Sequence, residues 1–181
     1  MYGLINKSIK DMVQEKYNLS VWAEILEHSG LETDAFISMQ KYNDSTTFAL
    51  IYAASKVLDK PVNDCLEEFG HYWATETCPK SYRQLMDLTG TDLITFLGNL
   101  NVLHERITST FLNYSPPFFE VYAHSESFII RYVSEREGLL HFVIGLVYGL
   151  AEYFSQTVEI IDCNQSGTSL GEVWLIRIAV V

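Results

Sequence analysis

Residues 91–111 read TDLITFLGNLNVLHERITSTF, and the rest of the chain is organised around this stretch. Its apolar residues recur every three or four positions, which predicts a helix with one buried stripe. They are Leu93, Phe96, Leu97, Leu100, Leu103, Ile107 and Phe111. His104 lies on the same stripe, whereas Glu105 and Arg106 are predicted to face solvent. Because burying an unbonded imidazole costs about 1–3 kcal/mol, His104 needs a partner: a carbonyl, a water, a carboxylate or a metal ion. An ordinary core histidine is the simplest of these interpretations.

The composition is apolar and aromatic for a chain of this size. The 181 residues are long enough to form one domain with a substantial core. Hydrophobic residues make up 48% and charged residues 19%, with 10 Phe, 11 Tyr and 3 Trp. This inventory suits either a large core or a core built around an apolar group that is not protein.

The charge and the cysteines exclude several classes of function. A formal net charge of −11 repels phosphate backbones and anionic lipid headgroups, so no nucleic-acid or membrane partner is expected. The three cysteines are far apart and form neither a disulfide framework nor a zinc motif. The N-terminus is no signal peptide, and the longest uncharged run, 139–151, is too short to span a bilayer. We therefore expect a cytoplasmic protein.

The diproline at 116–117 divides the chain, because no helix can cross it. Six amphipathic helices are predicted before it, with Ser20 capping the second and Asp44 or Ser45 capping the third. After it, alternating segments predict strands at 118–123, 127–134, 158–163 and 172–181, with a long apolar helix at 138–154 between the two hairpins. The predicted class is α+β, an N-terminal helical subdomain followed by a four-stranded antiparallel sheet with a long helix.

The second predicted strand carries three donors at alternate positions. Tyr132, Ser134 and Arg136 point the same way at intervals of about 6.5 Å. A phenol, a hydroxyl and a guanidinium in a row can hold an anion that carries two carboxylates. The alternative is that this row is the solvated face of a half-buried strand.

With these residues in order, the chain resembles the haem-nitric oxide/oxygen-binding (H-NOX) domain. That module is the sensor of soluble guanylate cyclase and also exists alone in bacteria. The resemblance covers essentially the whole chain and rests on the stretches MYGLINKSIKDMV, FGHYW, NLNVLHERI, SPPF, RYVSER and GLVYGL. It implies one domain over residues 1–181, with the haem between a distal helical part (about 1–60) and a proximal, haem-ligating α+β part (about 61–181).

The resemblance also implies the cofactor and its ligands. The cofactor is haem b, with His104 as the axial ligand of the iron and Tyr132, Ser134 and Arg136 as donors to the two propionates. Residues expected to pack against the haem are Ile5, Leu100, Leu103 and Pro117. His141, in the uncharged helix, is the rival axial ligand, and the other histidines are weaker candidates: His28, His71 and His124.

The far side of the iron decides which gas is held. In the family, oxygen binders carry a tyrosine three residues before the glycine of a Gly-Leu pair in the long helix. Anchored on Gly145, that position is Phe142, although counting from Tyr132 gives His141. Further distal-pocket positions that the resemblance implies are Trp73, Thr77 and Leu146. Phe142 has no donor for bound dioxygen, whereas nitric oxide and carbon monoxide need none. The indole N–H of Trp73 is a second possible donor, and three tyrosines are assigned to core or surface: Tyr2, Tyr72 and Tyr148.

We therefore hypothesise a stand-alone sensor domain without enzymatic activity, which binds nitric oxide at a ferrous haem and signals by release of His104. No GxSxG, P-loop or HExxH pattern is present. The resemblance suggests a histidine kinase or a cyclic-diguanylate enzyme as the separate effector. The alternatives are an oxygen-binding haem sensor and a haem-free interaction domain that holds another anion at the strand donors.

Overall fold

A computed structural model of the protein describes residues 1–108, 115–166 and 171–181, and it has the predicted α+β class. Phe111, the last residue of the predicted apolar stripe, lies outside the described residues. The α-helices are α1 (Gly3–Lys16), α2 (Leu19–Ser29), α3 (Asp44–Val57), α4 (Val62–Tyr72), α5 (Cys78–Thr89), α6 (Leu93–Thr108) and α7 (Leu140–Tyr153). A π-helical turn, Trp73–Thr77, joins α4 to α5. The strands are β1 (Phe118–His124), β2 (Ser127–Ser134), β3 (Val158–Gln165) and β4 (Glu172–Val180).

The four strands form one antiparallel sheet in the order β1-β2-β4-β3, as two hairpins joined through β2 and β4. The predicted tight turn between β1 and β2 is present, with Ser125 in the left-handed region at φ 54°. Side chains alternate between the two faces of the sheet. The inner face carries buried residues such as Ile130, Tyr132 and Ile176, which pack into the core beside α6 and α7.

The predicted caps of α2 and α3 are wrong by one or two residues. The side chain of Asn18 caps α2 by accepting a 3.0 Å hydrogen bond from the backbone N–H of Val21. Asn43 caps α3 in the same way, accepting a 3.1 Å bond from the N–H of Ser45. Asparagine is as good a cap as serine or aspartate, so each helix begins at the earlier residue that offers a side-chain oxygen.

The buried apolar residues form two clusters. The first is built from α1 to α4 and includes Ile9, Ile25, Leu50, Leu66 and Phe69. The second is built from α5, α6, α7 and the sheet and includes Met86, Leu97, Phe119, Val147 and Ile178. The helix α4 thus contributes to the first cluster, although the sequence places the boundary between the two parts near residue 60. Among the described residues, no helix is both long and apolar enough to cross a membrane.

Helices α4 and α7 touch backbone to backbone across the boundary between the clusters. A Cβ atom added at Gly70 would lie 2.0 Å from the carbonyl oxygen of Phe142, and one added at Gly145 would lie 2.0 Å from that of Glu67. A Cβ atom added at Gly149, one turn after Gly145, would lie 2.8 Å from the carbonyl oxygen of His71 and from Cβ of Ala74. Glycine is required at these positions because real Cβ atoms do not approach backbone oxygens so closely.

We predict that Gly145→Ala destabilises the fold, because α7 must move away from α4 to admit one methyl group. The expected loss of unfolding free energy is about 1–3 kcal/mol, measured by urea denaturation. The matched control is Gly98→Ala on α6, where no described atom lies within 4 Å of the new Cβ. That substitution should be neutral or should raise the unfolding free energy by up to about 1 kcal/mol. Equal effects of the two substitutions would contradict the close packing of α4 and α7.

Candidate functional site

His104 lies near the C-terminal end of α6, and its ring is 6.2 Å from that of Phe119 on β1. Its Nδ1 is 3.2 Å from the carbonyl oxygen of Pro117. Because a carbonyl oxygen only accepts, Nδ1 carries the proton and Nε2 carries the lone pair of the neutral ring. Burial lowers the pKa of His104, and the bond to Pro117 opposes this only in part. The neutral, fixed tautomer that results is the form in which histidine binds a metal ion.

A cavity of about 280 Å³ lies between the two apolar clusters, and His104 forms part of its wall. The lining is mostly apolar and comes from both helical parts and the sheet. The cavity brings together most of the residues that the sequence singles out: Ile5, Trp73, Leu100, Leu103, His104, Pro117, Tyr132, Ser134, Arg136, Phe142 and Leu146. An apolar chamber with a few convergent polar groups is typical of a cofactor site.

Thr77 is the exception among the predicted site residues, because it does not line the cavity. Its hydroxyl instead makes a 2.5 Å hydrogen bond with the hydroxyl of Ser8 on α1. Thr77 ends the π-helical turn, which changes the rotation of the residues that follow α4. Ordinary helical spacing cannot predict such a change.

The other histidines point to partners outside the cavity. Nδ1 of His141 is 3.7 Å from a carboxylate oxygen of Glu67, and neither residue lines the cavity. His71 bonds Glu152 at 2.8 Å, and Nδ1 of His28 lies 2.9 Å from the backbone oxygen of Glu24. His124 is exposed in the β1–β2 turn. All five histidines of the chain lie in the described ranges, and only His104 lines the cavity.

Tyr132 and Ser134 are buried, with exposed fractions of 1% and 5%. The row is therefore not a solvated strand face, and that alternative is wrong. Burial raises the pKa of Tyr132, and a side-chain hydrogen bond with Ser134 offsets this only in part. The phenol therefore keeps its proton at neutral pH. The hydroxyl of Ser134 accepts a 3.0 Å bond from the backbone N–H of Arg136, which lies just beyond the end of β2.

The guanidinium of Arg136 links the strand donors to the helical part of the chain. Its Nε donates to Asp44 at 2.8 Å, and Nη1 donates to the carbonyl oxygen of Ser115 at 2.9 Å. The amino group of Met1 also bonds Asp44. Burial tends to raise the pKa of Asp44, but the two cations outweigh it and the pKa is lowered. The carboxylate is thus the hub of an ionic network at the mouth of the site.

Sequence reasoning missed four cavity residues on α5, which are Cys78, Tyr82, Leu85 and Met86. It also assigned Tyr2 to core or surface, whereas Tyr2 lines the cavity. Tyr82 has a non-helical backbone, φ −139° and ψ 24°, which kinks α5 at that residue. Burial raises the pKa of the Cys78 thiol to about 12, so the thiol stays protonated. The apolar spacing of this segment predicts a helix. No local sequence signal predicts the kink at Tyr82.

We predict that Asp44 makes the stability of the haem-free protein depend on pH. Its pKa is lowered in the folded state, so its contribution is complete above the unfolded pKa of about 3.9 and is lost as the pH falls through the folded value. Urea denaturation between about pH 5 and pH 3 should show a smaller loss of stability in Asp44→Asn than in the wild type. Glu137→Gln is the control, because Glu137 is exposed and makes no ion pair with the described residues. An Asp44→Asn profile parallel to that of the wild type would contradict the ionic network.

Comparison with known families matches residues 2–161 of the chain to the Haem-NO-binding family. Among curated proteins, soluble guanylate cyclase gcy-31 of Caenorhabditis elegans is 30% identical over 90% of this chain. Soluble guanylate cyclase gcy-34 of the same organism is 30% identical over 84%. The chain spans only about a quarter of the length of these relatives, 23% in both cases.

Solved structures share the fold over the whole chain. An iron(II) unliganded H-NOX protein mutant from K. algicida is 27% identical, with a TM-score of 0.83 over 100% of this chain and 97% of that one. An H-NOX protein from S. oneidensis, described in its Fe(II)NO ligation state, is 22% identical, with a TM-score of 0.85 over 100% and 99%. The second likeness bears on the fold alone.

Proposed function

Because the chain belongs to the Haem-NO-binding family of haem-based gas sensor domains, we propose that it binds ferrous haem b and senses nitric oxide. One observation carries the proposal. The neutral imidazole of His104, the buried hydroxyls of Tyr132 and Ser134, and the partly exposed guanidinium of Arg136 lie in the wall of one apolar cavity. This donor set matches what haem b requires: an axial nitrogen, a dry pocket and donors for two propionates.

The residues present fit the cofactor in three respects. His104 offers the lone pair of Nε2, because Nδ1 donates to Pro117. Leu100 and Leu103 offer apolar contacts beside it, from the same helix. Arg136 carries the positive charge that a propionate needs, and its fork has donors beyond those used by Asp44 and Ser115. When bound, haem supplies an iron atom with one coordination position for His104 and one for a diatomic gas.

Selectivity for nitric oxide over dioxygen rests on the apolar far side of the cavity. Phe142 and Leu146, which belong to α7, line it without offering a donor. Phe142 also packs on Phe69 of α4, with ring centroids 5.2 Å apart. Carbon monoxide, which like nitric oxide needs no hydrogen bond, is expected to bind as well. Oxygen binding is the second candidate function, because Trp73 and Tyr82 line the same cavity and each carries a donor group.

The proposed signal is the release of His104 from the iron when nitric oxide binds. The bond between His104 and Pro117 joins the end of α6 to the residue before β1, so withdrawal of the imidazole shifts the last turn of that helix against the sheet. In the one-domain arrangement that we propose, the distal and proximal parts then move relative to each other. An effector responds only if its affinity differs between the two states.

The proposed setting is cytoplasmic, with a histidine kinase or a cyclic-diguanylate enzyme as a separate effector and the domain itself without catalytic activity. The curated relatives are named guanylate cyclases and are about four times as long as the aligned region. A cyclase output is therefore the alternative to a separate effector. The acidic net charge of −11 supports a protein partner and opposes a nucleic acid or an anionic membrane surface.

The test of the proposal is the optical spectrum of the ferrous protein with and without nitric oxide. We predict that haem supplementation gives a histidine-ligated haem spectrum and that nitric oxide converts it to a form without histidine ligation. His104→Gly should lose protein ligation of the haem, and added imidazole should restore it, because the substitution leaves a space for that ring. His141→Gly is the control and should keep the wild-type spectrum, since His141 lies outside the cavity.

Two results would overturn this assignment. If the wild type shows no Soret band after haem is added, both haem-sensor functions are wrong. Binding of another anion would then explain the donors at Tyr132, Ser134 and Arg136. If His104→Gly keeps a histidine-ligated spectrum that His141→Gly loses, the axial ligand is His141.

We predict that the ferrous protein in air forms no stable oxygen complex. Where oxygen binders of the family carry a tyrosine, α7 has Phe142, which offers no hydrogen-bond donor. Dioxygen bound to iron depends on such a donor for its stability. The measurement is the optical spectrum in air-saturated buffer, compared with that under carbon monoxide. A stable oxygen complex would contradict nitric oxide selectivity. The variants Tyr82→Phe and Trp73→Phe would then identify the donor, since each removes one polar group and keeps an aromatic ring.

A further inference from the structure

Asn101 lies on α6 one turn before His104, and its side chain bonds the backbone of a strand. Its Nδ2 donates to the carbonyl oxygen of Phe119 at 2.6 Å, and its Oδ1 accepts from the backbone N–H of Phe119 at 3.0 Å. The orientation of the amide is fixed by chemistry, because the reverse orientation would place two donors face to face. Both backbone polar groups of Phe119 are thus satisfied by one side chain.

This pair of hydrogen bonds joins α6 to the edge strand β1 of the sheet. Among the described residues, β1 lies at one edge of the sheet, with only β2 beside it. In antiparallel pairing, alternate residues of an edge strand turn both backbone groups away from the neighbouring strand. Phe119 is such a residue, and Asn101 takes the place that a further strand would occupy.

Phe119 connects the two halves of the candidate site. Its side chain is buried, with 3% exposed, and lines the cavity. The ring centroid lies 6.2 Å from that of His104 and 5.3 Å from that of Tyr132, which is its cross-strand partner. A displacement of Phe119 would therefore disturb both the proposed axial ligand and a proposed propionate donor.

Three hydrogen bonds join one turn of α6 to two nearby residues at the start of β1. Two of them come from Asn101 to Phe119, and the third comes from Nδ1 of His104 to Pro117 at 3.2 Å. The bond from His104 to Pro117 holds the helix at one point. Adding the pair at Asn101, one turn away, fixes the rotation and the height of the helix against the strand.

We propose that Asn101 is a positioning residue for His104: its paired hydrogen bonds to Phe119 hold α6 on the edge of β1, aim the imidazole and resist its withdrawal from haem iron. This inference rests on the proposed ligation of haem by His104. The part of α6 before Asn101 stays joined to the sheet when His104 leaves the iron, so the displacement is concentrated in the last turn of the helix.

The variants for the test are Asn101→Leu, which has a similar size but neither donor nor acceptor, and Asn101→Asp, which turns a carboxylate toward the oxygen of Phe119. The matched control is Asn99→Leu. The Asn99 side chain lies on the same helix and donates one 2.8 Å bond to the carbonyl oxygen of Thr89 on α5. Among the described residues it forms no hydrogen bond with β1, so its loss weakens α6 without touching the edge of the sheet.

The first measurement uses the haem-free protein. Hydrogen exchange at the backbone N–H of Phe119 should accelerate about tenfold in Asn101→Leu, which removes its acceptor. It should also accelerate in Asn101→Asp, because the second carboxylate oxygen repels the carbonyl oxygen of Phe119 and pushes the strand away from the helix. Exchange should be unchanged in Asn99→Leu. This readout does not depend on the cofactor. Unchanged exchange at Phe119 in both Asn101 variants would overturn the proposal.

The second measurement uses the haem-loaded protein and follows by optical absorption how fast histidine ligation is lost after mixing with nitric oxide. Loss should be about threefold or more faster in the Asn101 variants than in the wild type and in Asn99→Leu, because the imidazole is no longer held. Equal rates in all four proteins would overturn the role in resisting withdrawal. If Asn101→Leu fails to fold, Asn101→Asp decides both measurements. If the wild type binds no haem, the proposed function fails, and exchange at Phe119 still decides whether Asn101 holds the edge.

Discussion

The hydrogen bond from His104 to the carbonyl oxygen of Pro117 is the interaction on which the site depends. Burial keeps the imidazole neutral, and this bond selects its tautomer, so that Nε2 keeps its lone pair within an apolar chamber. It also requires the chain to leave the helical part at the diproline and enter β1 beside α6. His104, on the apolar face of α6, thereby bonds a carbonyl oxygen 13 residues later in the chain, just before β1 begins. The cavity forms where this helix meets the strand.

The two apolar clusters meet through α4 and α7, and their contact is stiff. At Gly70 and Gly145 the backbones touch with no side chain between them, so no rotamer change can absorb a shift of either helix. Phe142 belongs to this contact, since its carbonyl oxygen faces Gly70 and its ring lies in the cavity wall. A change in the cavity therefore acts on the relative position of the two helices as rigid bodies, which is the property that a domain with two discrete states needs.

The sequence predicts those features that repeat with a regular period. The apolar stripe of α6, the alternation of β2 and the α+β order follow from spacings of 3.6 and 2 residues, and the structure confirms this class. The position of Thr77 could not be predicted, because the π-helical turn breaks the helical period just before it. The caps at Asn18 and Asn43 could not be predicted, because asparagine, serine and aspartate are nearly equal in energy as caps. The kink at Tyr82 is carried by one residue and so leaves no periodic signal.

The remaining features depend on side chains that bond distant backbone or charge, which no periodic pattern contains. Asn101 reaches Phe119 across 18 positions, and Arg136 reaches Asp44 across 92. Arg136 needs a closer account, because its guanidinium is already paired with the carboxylate of Asp44. It can bind a second anion only if donors remain. Its planar fork has five N–H groups, and Asp44 and Ser115 account for two hydrogen bonds. The guanidinium therefore has donors left for an anion in the cavity while it keeps its bond to Asp44, so the proposed binding of an anion there would be coupled to the position of α3.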